Sequence, residues 1–241
     1  TGGLLRETGL LAAREAFQSV PGHRQAFLAG LGMACQPGDR VITLFCYPRS
    51  PVHALLDALA AMPGRTRVLL TPGAATSEGL RWSPPSVDGD LTLQALPLLP
   101  QAEFDHLLWS SDLNLVRGED SAVRALWAAR PHLWQLYRQD DGVHADKLEA
   151  FAARWMADWP APLREAVRRV GAAWNQLPGS RVEDLSLVST LLAPRQATAQ
   201  APDQAETREP DWAAASAASS AKLANQNDLT TQLLYFVTAA G

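Results

Sequence analysis

The segment Asp112 to Ser121, DLNLVRGEDS, brings together residue types that can hold a phosphate ester. Leu113, Leu115 and Val116 are apolar enough for a strand buried on both faces, and Gly118 lets the chain turn while a ligand approaches the backbone. Glu119, Asp120 and Ser121 then open a helix whose first N–H groups lack intrahelical partners and carry the positive end of the dipole. Arg117 adds a planar, permanently charged donor just ahead of them. The same three polar residues are also favoured in any first helical turn, where they serve only their own helix. The motif alone leaves both readings open.

Other residues map to the same end of the fold. Phe45 and Tyr47, two apart in VITLFCY, share one face at the end of a predicted strand, where a flat heterocycle can lie against a ring; core packing is the commoner fate of such aromatics. Gln101, in LPLLPQ, follows another predicted strand and either reads the amide edge of a base or caps the next helix. Arg138, Asp140, Asp141 and His144 occupy the loop after the last predicted strand. A solvated loop is the ordinary reading of that group, and His144 is its member suited to proton transfer. Cys35 and Cys46 make neither a disulfide framework nor a CxxC pattern, and are read as buried small hydrophobes in a reducing compartment. The sequence has no His/Cys ligand spacing for a metal, and none is expected.

These residues need elements to position them. Strand patterns begin at Val41 (to Tyr47), Thr66 (to Leu70), Leu91 (to Leu96), Asp112 and His132 (to Tyr137), a spacing of roughly 20 to 25 residues that suits βα units in a parallel sheet. Helical patterns run over Leu10–Phe17, His23–Met33, Ser50–Ala61, Glu103–Trp109, Asp120–Ala129 and Asp146–Trp159. Right-handed crossovers wind such a series into a Rossmann-like α/β domain, expected over residues 1–160. Residues 161–241 are expected to form a helical extension: Ala161–Leu177, a shorter helix through Leu192 opened by a Ser180/Glu183 capping box, a polar linker near 194–210, and an alanine-rich helix with Leu229, Leu233, Leu234 and Phe236 free to dock.

At 241 residues, 47% hydrophobic and 19% charged, the composition is that of a globular protein, and a net charge of -4 argues against a general nucleic-acid or anionic-membrane binder. No stretch approaches the ~20 apolar residues that span a bilayer, and the start shows no signal-peptide pattern, so a cytoplasmic protein is expected. Thr1 followed by GGLLRE reads as a cut inside a longer protein.

The run from LPLLPQAEFDHLLWSSDLNLVRGEDSAVRALWAARPHLWQLY through DGVHADKLEAF, with LFCY and GGLLRE, resembles the bacterial elongation factor P arginine rhamnosyltransferases, the EarP family. LLWSSDLNLVRGEDS is its most specific element. The resemblance implies one half of a two-domain GT-B glycosyltransferase, the carboxy-terminal half that binds the nucleotide sugar, with the amino-terminal acceptor-binding half expected to be absent. It implies inverting, metal-free transfer from dTDP-rhamnose to an arginine of elongation factor P, with no resident cofactor. Arg117, Gly118, Asp120 and Ser121 are implied to hold the diphosphate, Phe45 and Tyr47 to flank the nucleotide, and Gln101 to lie on the base and ribose side. Glu119 is implied to be catalytic or to orient the substrates, while the general base is implied to be an aspartate of the other half. This chain departs from the family pattern at Leu98, where phenylalanine is usual, at Leu126, where a polar residue is common, and at Arg138, where proline is usual. The alternatives are another nucleotide-sugar-dependent transferase domain and a non-catalytic nucleotide-binding module.

Overall fold

The computed structural model describes residues 4–84, 90–139, 142–193 and 211–239. The predicted linker near 194–210 and the loop residues Asp140 and Asp141 lie outside them. Five strands, β1 Arg40–Leu44, β2 Thr66–Leu70, β3 Leu91–Ala95, β4 Leu113–Arg117 and β5 His132–Gln135, form one sheet in the order β3-β2-β1-β4-β5. Every neighbouring pair is parallel, with Leu44 opposite both Leu70 and Leu115. The chain therefore builds outward from β1 in one direction, returns, and builds outward from β4 in the other.

Helices cover both faces, as a parallel sheet requires. Helices α1 (Leu10–Ser19) and α2 (His23–Gly30) precede the sheet; α3 (Val52–Ala60), α4 (Ala74–Gly79), α5 (Gln101–Ser110) and α6 (Glu119–Ala128) connect its strands; α7 (Val143–Trp155) and α8 (Ala161–Trp174) follow it. A 3-10 turn over Val182–Ser186 leads into α9 (Leu187–Leu191), and α10 (Trp212–Ala224) and α11 (Leu229–Ala239) end the described chain. Alternate strand residues feed opposite cores. Ile42, Leu44, Val68, Leu70, Leu113 and Leu115 pack with α3, α8 and Trp212 of α10. Val41 and Leu69 pack with Leu28 of α2 and Leu107 of α5, and Val116 with Ala122 and Ala125 of α6. Val167, Val170, Trp174, Leu185 and Val188 belong to the first of these cores, so the helices after Pro160 share the sheet's interior rather than folding on a core of their own.

Several element boundaries differ from expectation for identifiable reasons. β1 ends at Leu44, short of Tyr47, because the Tyr47 N–H is taken by the Gln135 side chain at 2.8 Å instead of a strand partner. β5 ends at Gln135 because the Leu136 N–H donates to Asn175 Oδ1 at 2.9 Å. The capping box does not form: Ser180 donates its hydroxyl to the Leu177 carbonyl, and Arg181 precedes the 3-10 turn without a side-chain cap. The sequence pattern missed α4, whose residues AATSEG have no apolar period, and the alanine-rich end is two helices rather than one. Leu233, Leu234 and Phe236 are exposed on the second of these.

His132 begins β5 buried against Trp155, 5.2 Å between centroids, and donates from Nδ1 to the Arg130 carbonyl. Burial pushes its pKa down to about 4. An unfolded imidazole gains a proton near pH 6.5, so acidification below that value favours the unfolded chain until the folded His132 also titrates. Above it both states are neutral and the contribution is constant. Between about pH 6.5 and about pH 5 the protein should lose ~2 kcal/mol that His132→Phe does not lose. Urea midpoints at the two pH values check this; an equal acid-side loss in both proteins would refute it.

Candidate functional site at the sheet's switch point

Because the chain leaves β1 and β4 in opposite directions, a crevice opens past their C-terminal ends. Phe45 stays beside β4 by donating its N–H to the Leu115 carbonyl at 2.9 Å. The last residue of β4 is Arg117, whose Cζ lies 4.3 Å from the Phe45 ring centroid and 4.7 Å from that of Tyr47. Phe104 of α5 meets Phe45 edge-on at 6.0 Å, and Tyr137 meets Tyr47 at 5.6 Å. The two rings thus grip one guanidinium, each contributing a cation–π contact of order 0.5 to 2 kcal/mol. Both are half-buried.

Gly118 turns the chain from β4 into α6 at φ 72° and ψ 177°, a backbone that other residues rarely adopt. Its carbonyl accepts from Trp134 Nε1 at 2.8 Å and its N–H donates to the Gln135 carbonyl. No side chain caps α6 or α5. The residues at the N-cap positions are Gly118 and Pro100, while Glu119 and Asp120 stand in the first turn of α6, where the helix dipole favours them, and Gln101 begins α5.

Two clefts flank Arg117 and Gly118, each of about 280 Å³. Phe45, Gln101, Arg117, Asp120 and Ser121 line the first, with Leu98 at its mouth 87% exposed. Tyr47, Gly118, Glu119 and Lys147 line the second, together with Trp134 and Tyr137. The sequence-predicted residues are thus brought together, divided between two adjoining spaces. A more apolar cavity of 440 Å³ lies elsewhere, between Leu4, Phe151, Trp155 and Leu223. It contains none of them.

The charges of the site are unequally satisfied. Arg117 meets no described carboxylate, and its Nε is buried without a hydrogen-bond partner. A buried donor left in that state calls for a ligand or a water. Glu119 pairs with Lys147 at 3.0 Å, both groups being at least half exposed. Arg124 ties the elements behind the first cleft, donating to Asp105 at 2.8 Å, to Glu7 at 2.7 Å and to Asp120 at 3.4 Å. Burial raises the Asp105 carboxyl above the usual range although Arg124 opposes the shift.

Other candidates fall outside the crevice. His144 is buried at the start of α7, where its Nδ1 accepts from the Gln139 N–H, and Arg138 is exposed. Cys46 is buried and its thiol is pushed up to about 11, while Cys35 is only half-buried, against the expectation for both. Among the described residues no group of three or more His, Cys, Asp or Glu side chains is placed to hold a metal. Sequence reasoning missed Lys147, Arg124, Trp134 and Gln135. Lys147 alone left a signal, lying early in a predicted helix just after the last strand.

A sequence model of the elongation-factor P (EF-P) rhamnosyltransferase EarP family matches residues 1–238. The chain belongs to the EarP family. A protein-arginine rhamnosyltransferase of Pseudomonas putida is 39% identical over 244 residues, covering 98% of this chain and 60% of that protein. One from Pseudomonas aeruginosa is 40% identical over 183 residues, covering 73% of this chain and 49% of that protein. The chain thus spans about half to three-fifths of the length of these relatives. A solved structure on the basis for EarP-mediated arginine glycosylation of translation elongation factor EF-P superposes with a TM-score of 0.76 at 34% identity, covering 99% of this chain and 73% of that one. The fold is accordingly a Rossmann-like α/β domain resembling the carboxy-terminal domain of a GT-B glycosyltransferase, with added C-terminal helices. No described helix is long and apolar enough to cross a membrane.

Arg124 holds a nearly buried carboxylate, that of Asp105, beside the first cleft. Arg124→Ala should destabilise the fold by about 3 kcal/mol, because it leaves Asp105 uncompensated. Adding Asp105→Asn should recover part of the loss by removing the stranded charge. Urea denaturation of the two variants measures both effects, and a double variant no more stable than the single one would contradict the account.

Proposed function

We propose that this chain is the donor-binding part of a protein-arginine rhamnosyltransferase, which takes dTDP-rhamnose and modifies an arginine of elongation factor P. One observation carries the reading: Arg117 is held between two aromatic rings with its Nε unpaired, just before a helix whose first residues, Glu119 to Ser121, line the clefts on either side. That is a prepared cation with room for a diphosphate. Family membership and the relatives' activity as protein-arginine rhamnosyltransferases support a rhamnosyl group and an arginine of elongation factor P as the two partners in transfer.

In this reading the base and ribose lie in the cleft of Phe45 and Gln101, and the diphosphate sits at Arg117 with the amides of Gly118, Asp120 and Ser121. The sugar points toward the cleft of Tyr47 and Glu119. An acceptor guanidinium nitrogen attacks the anomeric carbon, the carbon–oxygen bond to the diphosphate breaks, and its electron pair leaves with dTDP. Arg117 and the helix amides stabilise that departing charge. Glu119 is the carboxylate placed to orient the incoming guanidinium, in exchange for Lys147. The nitrogen's proton passes to a general base, to which this reading assigns no residue of the chain. The reading assigns no metal or resident cofactor to the site. Free cysteines fit a reducing cytoplasm.

Calorimetric titration with dTDP tests the assignment. Arg117→Ala should weaken binding by about 1.5 to 3 kcal/mol if it removes charge-assisted contacts. Equal affinity for dTDP in the wild type and in a folded Arg117→Ala would refute the site, and a preference for UDP over dTDP would favour another nucleotide-sugar transferase.

A further inference from the structure

The turn that carries Tyr47 is held from outside both clefts. Gln135, the last residue of β5, is 5% exposed and lines neither cleft. Its Oε1 accepts from the Tyr47 N–H at 2.8 Å and its Nε2 donates to Ser50 Oγ at 2.7 Å. Ser50 in turn donates to the Tyr47 carbonyl at 2.6 Å. Both backbone groups of Tyr47 are therefore fixed, one directly and one through a hydroxyl. Between them Arg49 adopts φ 67°, a left-handed conformation unusual for a side chain of that size, and its carbonyl accepts from Gln176 Nε2 at 2.7 Å. A turn with such a backbone persists only where its surroundings over-determine it. The Tyr47 ring makes its aromatic contacts with Tyr137 and with Arg117, so what the turn secures is the orientation of the Arg117 guanidinium.

We propose that Gln135 is a positioning residue for donor binding: by fixing Tyr47 it presses Arg117 into the orientation that meets the diphosphate. This rests on the nucleotide-sugar reading of the cleft. Preorganisation of this kind acts through affinity, since a free guanidinium must otherwise be ordered by the ligand itself.

The test uses the whole chain with two variants. Gln135→Leu removes both amide contacts, and Ser50→Ala removes only the middle link, which keeps the question open to test if the first variant fails to fold. The first readout needs no ligand: the Arg117 Nε–H signal in proton–nitrogen NMR, assigned by its loss in Arg117→Ala. Ring currents from Phe45 and Tyr47 should displace it upfield in the wild type, and that displacement should shrink in either variant. The second readout is dTDP affinity, expected to fall about tenfold in Gln135→Leu, the loss of one to two hydrogen bonds' worth of positioning. An Arg117 signal unchanged in both variants overturns the proposal. So does a moved signal with undiminished dTDP affinity. A wild type that does not bind dTDP defeats the nucleotide reading and the proposal together, whereas binding that depends on Arg117 but not on Gln135 or Ser50 defeats the proposal alone.

Discussion

The site depends on one cation being held by aromatic rings, with no described carboxylate paired to it. Arg117 ends β4, and the rings that hold it lie just beyond the end of β1, so the grip exists only because those strands are neighbours in register, Leu44 beside Leu115. Aromatic faces suit this task. They attract a guanidinium without offering it a hydrogen-bond acceptor, which leaves its N–H groups for a ligand. A carboxylate in the same place would have satisfied the arginine and closed the site. The order of the strands matters equally, because it is the reversal between β1 and β4 that leaves the crevice uncovered by a connecting helix.

The surrounding structure is arranged to keep the two turns still. Trp134 and Gln135 hold Gly118 and Tyr47 from β5, and Asn175 at the end of α8 holds β5 by accepting from Leu136 and donating to the Trp134 carbonyl. Gln176, the next residue, holds Arg49. This gives the helices after Pro160 a role beyond covering the sheet. Trp174 is fully buried in the same core as Ile42 and Leu115, so the end of α8 is anchored where its amides are needed.

How much of this was legible follows from the range of the interactions. The strands were readable because burial on both faces demands apolar runs, and Gly118 because only a local backbone requirement places a glycine there. Arg117, Phe45 and Tyr47 were readable as types at an edge, and the structure joins them. Gln135 was not, since an amide at the end of a strand resembles any polar strand residue until its partners, 88 and 85 positions away, are known. Arg124 was hidden in the same way, by partners on α5 and near the chain's start. Short α4 lacks any apolar period and is defined instead by packing: Gly79 sits so close to Leu70 that an added Cβ would come within 2.5 Å of it. Boundaries failed where a side chain, rather than a strand, took the next backbone group.

The two clefts differ in how much the surrounding water weakens them. Arg117 is half-buried between rings, whereas the Glu119 side chain is 77% exposed and Lys147 50%. Opposite charges 4 Å apart gain only ~1 kcal/mol in bulk water but ~4 kcal/mol at the effective dielectric of a partly covered surface. An exposed pair such as Glu119 with Lys147 is therefore easily exchanged, worth ~1 kcal/mol or less. Under the rhamnosyltransferase reading this asymmetry has a direction. The leaving-group side is built in advance, and the carboxylate that must orient an incoming guanidinium stays weak and replaceable until a surface covers it. On that reading the cation is ready before the acceptor arrives, whereas Glu119 becomes effective only once its partner and the water around it have been displaced.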